Sequence, residues 1–132
     1  MSAIGSVVLD TSVVIDYVRE ADPALIQKMD QAAEVYVALV VLGELLYGVH
    51  RSTNKPRTRD SVQRFMRASI LLSPNEITAD LYGRIKAELA GQGTPIPQND
   101  IWIAASALEQ GLPLATRDAH FERIRNLVVL QW

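Results

Sequence analysis

Short apolar stretches alternate along this chain with longer segments in which apolar residues recur at every third or fourth position. The short stretches predict buried strands at residues 6–10, 34–38, 70–72, 112–116 and 128–130. The longer segments predict amphipathic helices at residues 11–19, 23–33, 40–51, 58–69, 76–90 and 99–110. No hairpin turn signal separates consecutive strands, so the alternation predicts an α/β sandwich built on a parallel sheet.

Capping and turn residues set the predicted helix ends. Pro23 suits the first position of a helix, and Thr58 is the predicted cap of the basic helix that follows a loop at residues 52–57. Gly91 is predicted to stop the fifth helix, and Gly111 to close the sixth. The glycines and prolines of residues 91–98 predict a turn-rich loop between these two helices.

Length and composition bound the class of protein. The 132 residues predict one domain over residues 1–132, because two smaller domains would each bury little core. With 48% hydrophobic and 21% charged residues the chain is typical of globular proteins, and with no cysteine it has no disulfide or thiolate zinc site. The longest apolar run, at residues 35–43, is shorter than the roughly 20 residues of a membrane span. No signal peptide opens the sequence, so we expect a cytoplasmic protein without a membrane segment.

Four carboxylates stand where apolar stretches end or turn: Asp10, Glu44, Asp100 and Asp118. Because ligands of open α/β sheets gather at the carboxyl ends of the strands, we expect these acids to converge there. Carboxylates that converge repel each other unless a cation neutralises them. The two histidines, His50 and His120, lie far apart in the sequence, so we expect a metal bound by oxygen, which favours Mg²⁺ or Mn²⁺.

Each candidate residue also has a structural interpretation. A carboxylate at Asp10 or Asp100 can cap the start of a helix, and Asp118 can be an ordinary turn residue. Glu44 fits a solvated helix face poorly, because apolar residues surround it on its helix. Two hydroxyl residues, Ser12 and Thr116, each lie two positions from an acid, where they either cap an element or orient metal ligands or phosphate.

The net charge of −2 conceals a basic segment at residues 51–67, in which Asp60 is the one acid. The basic residues of this segment are Arg51, Lys55, Arg57, Arg59, Arg64 and Arg67. A smaller basic group comprises Arg117, Arg123 and Arg125. An acidic pocket flanked by basic surface suits a metal-dependent phosphodiesterase. The alternative is an arginine-rich helix face that is simply solvated.

Four stretches carry a family resemblance in their order and spacing. They are Val8-Leu9-Asp10-Thr11-Ser12, Gly43-Glu44-Leu45-Leu46-Tyr47-Gly48, Asn99-Asp100-Ile101-Trp102-Ile103-Ala104-Ala105 and Leu114-Ala115-Thr116-Arg117-Asp118-Ala119-His120-Phe121. Together they resemble the PIN-domain ribonucleases, and particularly the VapC-type toxins of bacterial and archaeal toxin–antitoxin pairs. Each motif is weak alone, but the four in order form a specific signal that covers nearly the whole chain.

The resemblance implies a fold, an activity and partners. The expected fold is a PIN-like three-layer α/β/α sandwich with a central, mainly parallel sheet. The expected activity is Mg²⁺- or Mn²⁺-dependent cleavage of single-stranded or loop RNA, with the four acids as catalytic and metal-binding residues. Ser12 and Thr116 correspond to the hydroxyl residues that the family has near its first and last acids, and we assign Arg59 and Arg64 to the RNA backbone. The expected partners are a VapB-type antitoxin and a second copy of the chain.

Three other interpretations compete with this one. A haloacid-dehalogenase-like phosphatase needs a second Asp two positions after the first, where this chain has Ser12. A phospho-acceptor receiver domain needs a late lysine, and no lysine follows Lys86. A non-catalytic RNA- or protein-binding module would use the basic helix for contacts and keep the acids as helix caps, and metal binding distinguishes it from a nuclease.

Overall fold

A five-stranded parallel sheet forms the centre of the protein. The computed structural model describes residues 4–20 and 22–132. The strands are β1 Val7–Leu9, β2 Val35–Ala38, β3 Ile70–Leu72, β4 Leu114–Thr116 and β5 Val129–Gln131. Every neighbouring pair is parallel, and the spatial order is β3-β2-β1-β4-β5. The predicted parallel α/β sandwich is therefore confirmed.

Six α-helices flank this sheet. They are α1 Thr11–Val18, α2 Pro23–Gln31, α3 Leu39–Arg51, α4 Lys55–Arg67, α5 Glu76–Gln92 and α6 Gln98–Gln110. Right-handed crossovers place α1 to α4 on one face and α5 and α6 on the other, which gives the three layers. In agreement, α3 packs on α1 and α4, and α5 packs on α6. In the described part of the chain, no helix combines the length and the apolar character that a membrane span requires.

The burial of the strands follows their place in the sheet. Val7, Val8 and Leu9 of the central strand β1 are fully buried, since helices cover both of its faces. Ile70 and Leu71 lie on the edge strand β3 and are each 40% exposed. The core therefore lies against the middle of the sheet, and the two strands that Asp10 and Asp118 follow, β1 and β4, are its most buried strands.

Several predicted element boundaries were wrong by a few residues. Helix α4 begins before Thr58, because Asn54 is its cap and accepts a 3.4 Å hydrogen bond from the backbone N–H of Arg57. Pro56 lies in the first turn, where a missing N–H costs nothing. Helix α5 passes through Gly91 and is capped by Gly93, whose φ of +71° is the left-handed conformation that glycine adopts without strain.

The chain reverses its direction across the sheet between β1 and β4. From β1 it proceeds through β2 to β3, and it then crosses to β4 and β5 on the other side of β1. A crevice forms at such a reversal, outside the carboxyl ends of the two strands. A short 3₁₀ helix at Ala119–Arg123, which the sequence pattern did not predict, follows β4 at this edge.

Candidate active site

Asp10 lies at the carboxyl end of β1 and is 4% exposed. Its Oδ1 accepts a 2.8 Å hydrogen bond from the backbone N–H of Thr11, so Asp10 does cap α1. Its Oδ2 accepts hydrogen bonds from the hydroxyls of Ser12 at 3.2 Å and Thr116 at 2.7 Å. Capping accounts for one oxygen only, and the second oxygen faces the crevice edge where β4 ends.

Thr116 connects two of the four acids. It ends β4, is fully buried, and accepts a 3.0 Å hydrogen bond from the backbone N–H of Asp118 while it donates to Asp10. A buried hydroxyl with both of its functions used in this way fixes the positions of its partners. The hydroxyl of Thr116 therefore holds the backbone of Asp118 near the carboxylate of Asp10.

Asp118 caps the 3₁₀ helix, and this turn brings His120 back between two acids. Oδ1 of Asp118 accepts a 3.1 Å hydrogen bond from the backbone N–H of His120. The imidazole Nδ1 lies 2.9 Å from Asp118 Oδ1, and Nε2 lies 2.8 Å from Asp100 Oδ2. One ligand atom from each of Asp100, Asp118 and His120 lies within 4.8 Å of the others.

Asp100 lies in the first turn of α6 and completes this group. Burial raises the pKa of its carboxyl above the usual range, and the negative charge of Asp10 raises it further. The charge of Asp118 also raises the pKa of Asp100, while His120 lowers it. Pro97 precedes helix α6 and gives it no side-chain cap, so Asp100 makes no capping hydrogen bond, although it lies in the first turn, where the helix dipole favours an acid. The negative charges of Asp10 and Asp118 thus disfavour ionised Asp100, which is the condition that a bound cation relieves.

Glu44 approaches the site from the side of α3. Its carboxylate Oε1 accepts a 2.6 Å hydrogen bond from the Nδ2 of Asn99, the residue before Asp100. The side chain is half-buried and does not belong to the group formed by Asp100, Asp118 and His120. The structure thus brings Glu44 beside the start of α6, where Asn99 holds it.

The two arginines assigned to RNA lie on α4 in different surroundings. Arg64 lines a groove of about 670 Å³ together with Arg51 and Arg57, and its Nε lies 3.2 Å from the Oδ2 of Asp60. Arg59 is half-buried and does not line this groove. None of the four acids lines the groove either, so the structure does not unite the basic helix and the acids in one cavity.

The smaller basic group is used in part for ion pairs within the fold. Arg117 contacts Asp16 at 2.9 Å and Asp22 at 2.6 Å, and thereby ties the end of β4 to α1 and to the cap of α2. The hydrogen bond from Arg117 lowers the pKa of Asp22 below its usual range. Arg125 contacts Glu88 on α5 at 2.9 Å. These pairs support the frame of the site, and they leave Arg117 and Arg125 less suited to hold a substrate.

Asn99 and His120 have roles in the site that the sequence did not reveal. Asn99 was part of a recognised motif, but nothing in the pattern indicated that its amide would reach an acid on another helix. His120 was set aside because a histidine-rich site needs histidines close together. One histidine among three acids is a different arrangement, and its spacing of two residues from Asp118 was the available signal.

Comparison with known proteins gives a consistent result. Residues 7–127 match the PIN domain family. The chain is 32% identical over 126 residues to ribonuclease VapC2 of Haemophilus influenzae, with 94% of this chain and 96% of that protein covered. It is 29% identical over 126 residues, with the same coverage, to the tRNA(fMet)-specific endonuclease VapC of Shigella flexneri.

Solved structures share the same fold. DNA-bound VapBC of Salmonella typhimurium matches with a TM-score of 0.90 and 27% identity over 98% of each chain. VapBC-1 of nontypeable Haemophilus influenzae matches with a TM-score of 0.87 and 26% identity over 96% of this chain and 98% of that one. The family match contains all four acids and every strand but the last, so the phosphatase and receiver interpretations are set aside. The chain belongs to the PIN-domain family and, within it, to the VapC ribonucleases.

Proposed function

We propose that the protein is a metal-dependent endoribonuclease, the toxin of a toxin–antitoxin pair, with Asp10, Glu44, Asp100 and Asp118 as its catalytic and metal-binding residues. The observation that carries this proposal is the convergence of three acids at the switch point of the sheet, where Thr116 joins Asp10 to Asp118 and ligand atoms of Asp118 and Asp100 lie within 4.8 Å of each other. Within residues 4–20 and 22–132, Asp100 and Asp118 form ion pairs with His120 alone, and no lysine or arginine pairs with either of them. A cluster of this kind suits a cation better than it suits a helix cap.

The donor set fits Mg²⁺ or Mn²⁺. Carboxylate oxygens are the ligands these ions prefer, and the described residues also leave the buried Nε2 of His120 without a hydrogen-bond partner. Asp10, Asp100 and Asp118 would hold the ion, with Glu44 as the fourth acid. When bound, a divalent ion neutralises these acids, activates water and stabilises the leaving oxygen of a phosphodiester.

The protein's own residues supply orientation. Thr116 is fully buried with both functions of its hydroxyl used, which favours positioning of Asp10 over contact with phosphate. Ser12 is exposed and makes the longer hydrogen bond to Asp10, so its hydroxyl is free to turn towards an RNA phosphate. Since no side chain need act as a covalent nucleophile, water attack should leave 5′-phosphate and 3′-hydroxyl ends.

The substrate is proposed to be single-stranded or loop RNA. The relative from Shigella flexneri is named for cleavage of tRNA(fMet), which supports a loop of a structured RNA as the target class here. Arg59 and Arg64 are proposed to hold the phosphate backbone. Arg64 is 66% exposed and its pair with Asp60 is a surface contact, so exchange of Asp60 for a phosphate costs little.

The partners are proposed to be a VapB-type antitoxin and a second copy of this chain. The similar solved structures are VapBC toxin–antitoxin complexes. On this chain, a groove of about 240 Å³ between α1, α2 and α4 combines apolar Tyr17, Ile26 and Phe65 with Arg64. An amphipathic antitoxin segment fits such a groove, and a basic side chain from it would pair with the acids.

The direct test is to map the ends of RNA cleaved by the purified protein. We expect cleavage with Mg²⁺ or Mn²⁺, no cleavage in EDTA, and 5′-phosphate products. Asp10→Asn should lower the cleavage rate by at least about 100-fold, since loss of a metal ligand exceeds the roughly 10- to 100-fold cost of losing its supporting partners. Products with 2′,3′-cyclic phosphates, or undiminished activity in EDTA, would overturn the proposal.

Asp10→Asn should also leave the fold intact, which makes the test interpretable. The asparagine oxygen can keep the hydrogen bond from the Thr11 N–H, and its amide then faces the hydroxyls of Ser12 and Thr116. Hydroxyls rotate and accept as readily as they donate. A folded Asp10→Asn variant that binds RNA but no Mn²⁺ and does not cleave would separate the nuclease from a non-catalytic binding module.

A further inference from the structure

His120 is held in the middle of the acidic group by the local backbone. Its own N–H is bonded to Asp118 Oδ1, which fixes the turn, and the next residue, Phe121, is fully buried and anchors the 3₁₀ helix in the core. The rings of His120 and Phe121 lie 4.8 Å apart between their centroids at an angle of 47°. These contacts fix the backbone of the turn and place the imidazole beside Asp100 and Asp118.

The Nε2 atom of His120 is buried and has no hydrogen-bond partner among the described residues. Asp100 Oδ2 lies only 2.8 Å from it, but at an angle that does not make a hydrogen bond. A buried polar atom without a partner requires an explanation, because its desolvation is not compensated. A cation that both atoms contact from the same side would supply the missing partner of this nitrogen.

The distances suit a shared cation. With ion–ligand bonds of about 2.0–2.1 Å, as for Mg²⁺, two ligand atoms lie about 3–4 Å apart. The Asp100, Asp118 and His120 ligand atoms, all within 4.8 Å of one another, need only small adjustments to reach this spacing. One nitrogen of His120 thus lies within 4.8 Å of a carboxylate oxygen of Asp100 and of a carboxylate oxygen of Asp118.

We propose that His120 supplies a nitrogen ligand to the divalent cation that Asp100 and Asp118 bind. This inference rests on the proposed metal-dependent site and goes beyond its four acids. It differs from the expectation that the metal is bound by oxygen alone.

The nitrogen ligand sets a metal preference. Mg²⁺ is a hard ion that takes oxygen ligands and releases water reluctantly, whereas first-row transition ions accept imidazole. A site with His120 in it should therefore favour Mn²⁺ over Mg²⁺ more strongly than the acids alone would. Removal of the imidazole should weaken Mn²⁺ binding by about 10-fold or more and leave Mg²⁺ binding nearly unchanged.

The test uses pulsed electron paramagnetic resonance on the full chain loaded with Mn²⁺, and does not depend on RNA cleavage. The protein is labelled with ¹⁵N at histidine only, so that a directly bound imidazole gives a ¹⁵N coupling to Mn²⁺. The chain has two histidines, and the second, His50, lies exposed near the end of α3 and provides the matched control. We expect the coupling in the wild type and in His50→Gln, and its loss in His120→Gln.

The outcomes separate this inference from the proposed function. If Mn²⁺ binds in a manner that Asp10→Asn and Asp100→Asn abolish, yet no ¹⁵N coupling is present, His120 is only a spacer between two acids and the inference fails alone. If the protein binds no Mn²⁺, the inference and the metal-dependent mechanism both fail. If His120→Gln does not fold, the coupling in labelled His50→Gln still decides the question, because its one remaining histidine is His120.

Titration calorimetry supplies the second readout. The ratio of Mn²⁺ to Mg²⁺ affinity should fall about 10-fold from wild type to His120→Gln and stay constant in His50→Gln. An equal loss of affinity for both ions would contradict a nitrogen ligand, since a purely structural role would not distinguish the two metals.

Discussion

The hydroxyl of Thr116 donates a 2.7 Å hydrogen bond to Oδ2 of Asp10 and so joins two residues that are 106 positions apart in the chain. The same hydroxyl oxygen accepts a 3.0 Å hydrogen bond from the backbone N–H of Asp118. One buried hydroxyl therefore sets the relative positions of the first and last acids. This relationship exists because β1 and β4 are neighbours in the sheet and end at the same edge.

Thr116→Val should impair the site while preserving the shape of the side chain. Asp10 Oδ2 loses its shorter hydroxyl bond and the Asp118 N–H loses its acceptor, so we expect cleavage to fall about 10- to 100-fold. The free energy of unfolding should drop by about 1–3 kcal/mol, the cost of buried groups left without partners. Single-turnover cleavage and urea unfolding measure the two effects.

Thr116→Ser is the matched control, because it keeps the hydroxyl and removes only a methyl group. It should retain most of the cleavage activity. A Thr116→Val enzyme with wild-type activity would show that the hydroxyl has no positioning role, whatever its effect on stability.

The parallel sheet and the position of its strands were predictable from the sequence. Buried strands with both faces covered are short and continuously apolar, as at Val7–Leu9, and an acid directly after such a run stands out. Asp10 and Asp118 each follow such a strand, so chain position alone indicated the edge at which they would lie. The family motifs then linked these acids to Asp100 and Glu44.

The contacts within the site were not predictable, because they depend on side chains from distant elements. The partnership of Glu44 with Asn99 joins two helices, and it requires the packed structure. His120 enters the site only because Asp118 caps a 3₁₀ helix, and helices of that length leave no periodic pattern. The boundary of α4 was missed for a related reason, since Asn54, Pro56 and Thr58 are all acceptable at a helix start.

Asp100→Asn should stabilise the protein at neutral pH in the absence of metal. The pKa of Asp100 is raised in the fold, so the folded state penalises its ionised form. The wild type therefore loses stability as pH rises from the ordinary value of 3.8 through the raised pKa, and the asparagine variant does not. Below pH 3.8 the carboxyl is protonated in both folded and unfolded chains, and the advantage of the variant should vanish.

Thermal unfolding in EDTA over a series of pH values measures this difference. With saturating Mn²⁺ the order should reverse, because the wild type gains binding energy that Asp100→Asn lacks. A variant that is less stable than wild type at neutral pH in EDTA would mean that the fold does not penalise the ionised carboxyl of Asp100.

Asn99→Ala should reduce activity through Glu44. Without the 2.6 Å hydrogen bond from Asn99, the Glu44 carboxylate is free to leave the start of α6, and we expect cleavage to fall about 10-fold. Gln98 is an exposed neighbour in the same turn, so Gln98→Ala is the control and should behave as wild type. The double variant Asn99→Ala with Glu44→Gln should cleave no more slowly than Glu44→Gln alone. A further loss of activity in the double variant would mean that Asn99 acts on something other than Glu44.

Arg59→Ala combined with Arg64→Ala should weaken RNA binding without changing the chemistry. For single-stranded RNA, each phosphate that an arginine no longer neutralises reduces the slope of log affinity against log salt by about 0.7, so the double variant should lower it by about 1.4. The control is Arg84→Ala with Arg125→Ala, since these arginines pair with Glu88 on α5. Binding to an uncleavable RNA in Ca²⁺ or EDTA, measured across salt concentrations, gives both slopes. An unchanged slope in the Arg59 and Arg64 variant would mean that these two arginines are only solvated. The RNA backbone would then be held by other residues, first of all Arg51 and Arg57, which line the same groove as Arg64.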